Sequence, residues 1–159
     1  MNAKRASELG HLFGDWRAED RKLSTCIEQI RDWMSEVNQM GIPHFGETAS
    51  RLKPLRESLI VHFEREDEML AKLAELYPSS SPEVSAFKRQ TRVDHRTLLS
   101  RLDDLHSRLK ETDPPFESWT AAMDEVDVFF EAMDQHERSE SDRVRMLLPN
   151  ELDEGKGSI

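Results

Sequence analysis

The chain contains one cysteine, Cys26, so no disulfide framework can form within it. A lone thiol fits a reducing compartment and, without a sign of activation, supplies no nucleophile. Glycine is scarce, at six residues, and there is a single tyrosine. With 34% charged and 36% hydrophobic residues, that scarcity suits helices with a wet and a dry face better than a sheet. No apolar run approaches the ~18 residues that a membrane span requires. The stretch from Met1 to Gly10 is charged and lacks the apolar core of a signal peptide. Basic residues are in deficit, 22 against 32 acidic ones, for a net charge of −10. That balance argues against nucleic acid or an anionic membrane as partner, since both require clustered Lys and Arg. The acidity runs along the whole chain and reads as a solvated surface. The expectation is a soluble cytoplasmic protein, of a length that matches one domain and can bury its own core.

Proline punctuates the chain. Gly41-Ile42-Pro43, Pro78 to Pro82, Asp113-Pro114-Pro115 and Pro149 each close a segment. Ser81-Pro82 and Asp113-Pro114 read as an N-cap followed by proline at the first helical position. Pro54 marks a late start or a kink in the second segment. Between the breaks, apolar residues recur every three or four positions. The first stripe is Trp16, Leu23, Ile27, Ile30, Met34 and Val37, and the second is Leu52, Leu55, Leu59, Met69, Leu73 and Leu76. The third is Val84, Phe87, Leu98, Leu102, Leu105 and Leu109, and the fourth is Trp119, Ala122, Val126, Phe129, Met133, Val144 and Leu147. Four such segments predict an all-α, up-down-up-down four-helix bundle. Its longest connection is expected at about residues 39 to 49.

Each stripe has a polar gap. The second passes through His62 and Glu66, the third through Thr91 and His95, the fourth through His136 and Glu140, and the first through Asp20. An ionisable group turned into a helical core loses several kcal/mol of hydration unless it is paired or bound to a cation. In an antiparallel bundle rising ~1.5 Å per residue, positions roughly 13 residues from the adjoining helix ends fall in one slab. A His-x-x-x-Glu pair lies on one helical face, so both side chains can converge on one centre. Imidazole and carboxylate without thiolate suit iron, manganese or zinc. Glu66 and Glu140 are the candidates to bridge two ions, with His62, His95 and His136 as terminal ligands.

These residues resemble the hemerythrin-like, or HHE cation-binding, family. His62-Phe63-Glu64-Arg65-Glu66-Asp67 is similar to that family's second-helix signature. Asp94-His95-Arg96-Thr97-Leu98 resembles its third-helix histidine, and His136-x-x-x-Glu140 its fourth-helix motif. The likeness spans roughly residues 12 to 149. It implies a hemerythrin-like bundle over residues 1–150 and a bridged pair of non-haem irons that binds dioxygen or responds to oxygen, iron or nitric oxide; the composition of the last residues, Gly155 to Ser158, separately predicts a flexible tail at 151–159. Manganese or zinc remains possible. The family's first-helix histidine is missing, and Asp20 is the expected substitute, with Glu19 and Asp15 as alternatives. Thr91 stands where oxygen carriers of the family have a further histidine, which would leave an open coordination position. That favours sensing or reactivity over reversible carriage.

His11, His44 and His106 lie off the level of the cluster and receive no role, although His44 in its loop could cover the site. Met69, Met133, Phe63 and Phe129 are expected to pack around the site, as are Trp33 and Trp119 elsewhere in the core. The leading reading is a non-enzymatic di-iron protein, a monomer or homodimer, with dioxygen or nitric oxide as small ligand. A di-iron enzyme reducing dioxygen or peroxide ranks second, because the Glu-x-x-His spacing of ferritin-like sites is absent. A metal-free interaction bundle with a degenerate site ranks third.

Overall fold

The computed structural model describes residues 3–147. It contains four helices, α1 (Ala3–Met40), α2 (Phe45–Leu76), α3 (Ser81–Leu109) and α4 (Trp119–Leu147), with one turn of 3-10 helix at Pro78–Ser80 before α3. Every consecutive pair is antiparallel. Lys72 on α2 reaches Glu8 near the start of α1, Arg56 on α2 meets Asp103 late in α3, and Arg108 at the end of α3 meets Glu125 early in α4. Arg31 on α1 pairs with Asp127 and Asp134 on α4, which closes the ring. The architecture is the expected up-down-up-down bundle. Among the described residues, no helix is long and apolar enough to cross a membrane. The expected tail at 151–159 and the break at Pro149 lie outside the described residues.

The predicted stripes are the buried ones, with Leu147 half-buried at the end of its stripe. Leu9, Phe13, Phe63, Leu70, Met123 and Phe130 join them. Each large apolar side chain so buried contributes about 1.5–3 kcal/mol. The core is divided. One cluster runs from Leu23 to Val37 on α1, with Leu52 to Phe63, Leu98 to Leu109 and Trp119 to Met133. The other joins Leu9, Phe13 and Trp16 to Met69–Leu76, Val84, Phe87 and Val144. The polar gaps of all four stripes fall between the two.

Several boundaries differ from the sequence expectation. The connection between α1 and α2 is residues 41–44 only, because Gly41, at φ +69, ends α1 in the left-handed conformation that glycine tolerates. The longest connection is instead residues 110–118. Asp113-Pro114 does not open a helix, because Pro115 pushes the residue before it out of the helical region. Ser118 caps α4 instead, its Oγ accepting from the Ala121 N–H at 3.0 Å. Ser81 already has helical dihedrals (φ −55, ψ −42), so it is not an N-cap, although Pro82 does sit in the first turn of α3. Pro54 neither delays nor ends α2. It lies on the exposed face, where water can reach the carbonyl that it leaves unpaired.

Candidate metal centre

Helix periodicity places the site. On α2, His62 and Glu66 interrupt the stripe between Leu59 and Met69, and both are fully buried. On α3, His95 precedes Leu98, and on α4, Glu140 lies between Met133 and Val144. Antiparallel packing then brings these levels together.

Two groups form. In the first, His95 Nε2 lies 3.0 Å from Glu140 Oε2 and 3.1 Å from Glu66 Oε2, while His136 Nε2 lies 2.6 Å from the same Glu140 oxygen. In the second, His62 Nε2 lies 3.0 Å from Glu137 Oε2 and 3.7 Å from Glu140 Oε1. Asp20 completes the second group: one ligand atom from each of Asp20, His62 and Glu137 lies within 4.8 Å of the other two, as also holds for His95, His136 and Glu140. Glu140 turns one oxygen toward each group.

Although these atoms are close, few are hydrogen-bonded. Both nitrogens of His62, both oxygens of Glu66 and of Glu137, His136 Nε2 and Glu140 Oε1 are buried without a hydrogen-bond partner of acceptable geometry. Imidazole nitrogens and carboxylate oxygens that crowd within about 3 Å without aligned hydrogen bonds converge on a common point. Among the described residues, no Lys or Arg is buried to balance the carboxylates. The donor set therefore fits two adjacent cations, with Asp20, Glu66, Glu137 and Glu140 supplying four negative charges.

Protons hold these positions in the cation-free chain. Burial raises the Asp20 carboxyl to about 7, and Glu137 beside it adds to the rise. Burial likewise raises Glu66 to about 8, against the pull of His95 and with the push of Glu140. For His62, burial favours the neutral ring, but Glu137 and Glu140 prevail and lift it to about 10. His95 follows the same contest with Glu140 and Glu66, ending at about 9. Burial also opposes the Glu140 anion, yet His136, His62 and His95 together hold it far below the usual carboxylate range.

Neighbouring rings position the ligands. Phe63 stacks on the His95 imidazole at 3.6 Å between centroids and 7° between planes. Trp16 stacks on His62 at 6.0 Å. All six residues singled out in the sequence, His62, Glu66, His95, His136, Glu140 and Asp20, meet here. The alternatives to Asp20 do not, since Asp15 is exposed and Glu19 pairs with Lys22 at 3.3 Å. Thr91 is buried, but its hydroxyl donates to the Lys88 carbonyl of its own helix. His44 does not cover the site: it packs between Trp33 and Trp119, 18 residues or about 27 Å along α2 from His62.

One member of the site, Glu137, lies outside the residues that the four stripes nominate. A step of three along the fourth stripe leads from Met133 to His136. A step of four reaches Glu137, and the series Met133, Glu137, Glu140, Val144 is an equally regular inward stripe. Both adjacent residues reach the slab from opposite flanks of α4.

The fold and this doubled His/carboxylate cluster define a class, the four-helix bundle that holds cations in its interior. The profile of the hemerythrin HHE cation-binding domain matches residues 11–148, and the chain belongs to that family, whose cation is typically iron. No curated protein and no solved structure matches the chain.

Proposed function

We propose that this protein is a non-enzymatic di-iron protein that binds or senses a small diatomic ligand, dioxygen or nitric oxide, or the supply of iron itself. The observation that carries the reading is the meeting of unpartnered His and carboxylate atoms in two groups, with Glu140 turned toward both. Glu140 and Glu66 would bridge the pair. His95 and His136 would hold one ion, and His62, Asp20 and Glu137 the other. Four carboxylates offset the charge of two divalent ions, and the surplus of anionic ligands over an all-imidazole set favours the oxidised pair. That bias suits a sensor better than a reversible carrier. Manganese or zinc could occupy the same donors.

A second reading, a di-iron enzyme reducing dioxygen or peroxide, would need a coordination position that no side chain fills, and Thr91, whose hydroxyl donates to the Lys88 carbonyl, supplies no ligand. The metal-free interaction bundle is the weakest of the three, because it leaves the buried donors without partners. Metal analysis of protein purified from iron-fed cells, with its absorption spectrum, tests the proposal. Two irons per chain with near-ultraviolet ligand-to-iron absorption are expected. Protein without metal, whose stability ignores chelators, would overturn both metal readings. Peroxide turnover above that of free iron would promote the enzyme.

A further inference from the structure

The two halves of the centre differ in donor chemistry and in which of their residues line the groove between α1 and α4. The half built on α3 and α4 offers two imidazoles, His95 and His136, with Glu140 Oε2 and Glu66. The half built on α1, α2 and α4 offers a single imidazole, His62, among the oxygens of Asp20, Glu137 and Glu140. A cavity of about 230 Å³ between α1 and α4 is lined by Asp20, Ser24, Asp134, Glu137, Arg138 and Ser141 among others. Asp20 and Glu137 thus reach both the centre and the groove, whereas His95, His136, Glu66 and Glu140 do not line it. His62 stands behind them, fully buried, with both ring nitrogens unpartnered and Nε2 aimed at Glu137.

We propose that Asp20, His62 and Glu137 form a hard, exchangeable cation position that takes manganese(II) through the α1–α4 groove, beside an iron held by His95 and His136. The proposal rests on the metal-binding reading above and adds which ion goes where. Carboxylate and water ligands suit manganese, whereas imidazoles raise the preference for iron and the later metals. An oxygen-rich position discriminates least against manganese, and two of its three residues, Asp20 and Glu137, line the α1–α4 groove.

Metal-free full-length chain, offered two equivalents of iron(II) with about a hundredfold excess of manganese(II) to offset the general preference for iron, without oxygen and then freed of unbound ions, provides the test. One iron and one manganese per chain are expected, with loss of the free manganese(II) electron paramagnetic resonance signal. Glu137→His makes the second position imidazole-rich and should cut the manganese content by at least about tenfold while iron rises toward two. Should that variant fail to fold, Asp20→Asn should lower manganese content and leave one iron in place. Two irons and no manganese in the natural chain would overturn the proposal but leave the metal-binding reading standing. Manganese content equal in the natural chain and the folded variants would overturn it too. Failure to bind either ion would overturn both.

Discussion

Raising the pH of the cation-free protein from about 6 to about 8 makes the unfolded chain release protons that the folded site largely retains, which lowers stability. Three buried groups dominate. The carboxyl of Glu66 rises from 4.5 to about 8, and the rings of His62 and His95 rise from 6.5 to about 10 and about 9. Each binds its proton more tightly in the folded chain than in the unfolded one. Their stabilisation is therefore complete below the unfolded values and disappears as pH climbs through the folded ones. At pH 7 these groups hold about two more protons in the folded chain, a slope of roughly 3 kcal/mol of lost stability per pH unit. Asp20, raised to about 7, acts in the same direction, but its half-buried carboxyl is screened by solvent and adds little. Glu140 has the opposite sign: its pKa is depressed, so its contribution is present above 4.5, is lost in acid and stays constant in this window. For a chain of this size the slope corresponds to a fall in Tm of roughly 6–12 °C per pH unit. Bound cations invert the trend. They displace the protons, so affinity rises with pH, and with it the stability at fixed free metal. Thermal unfolding at three pH values, with chelator and with iron, measures both slopes. A chelated protein whose Tm is flat or rising from pH 6 to 8 would refute the proton-holding site.

Glu140→Gln removes the anion shared by His95, His136 and His62. It should lower the stability of the cation-free protein by about 3–5 kcal/mol in urea unfolding and strip both ions; a full metal content would remove Glu140 from its bridging place. Phe63→Leu takes away the ring stacked on His95 and should weaken metal affinity about tenfold by competition titration, since positioning groups around ligands carry effects of that size. Unchanged affinity would reduce Phe63 to a filler of space. Ser118→Ala, which deletes the cap of α4, should cost about 1 kcal/mol in urea unfolding and leave metal content intact.

The helices and the core were legible because their information is local. The 3.6-residue period marks the buried face of each helix whatever it packs against, and every stripe residue from Trp16 to Val144 is buried as the spacing required. Polar interruptions in those stripes were legible for the same reason, and they alone nominated His62, Glu66, His95, His136, Glu140 and Asp20. Turn chemistry was read less well, because Asp113-Pro114 looks like a helix start until the effect of Pro115 on Pro114 is weighed. Tertiary structure decided the rest. Periodicity tells which residues face inward but not which flank of a helix reaches which neighbour, so the role of Glu137 beside His136 stayed hidden. Neither could it show that Glu140 points its two oxygens at different groups, or that Asp20 and Glu137 open on a groove while His95 lies under Phe63. Inward orientation is set along one helix, but a site's donor grouping depends on distances between four helices, and those exist only once the chain is packed.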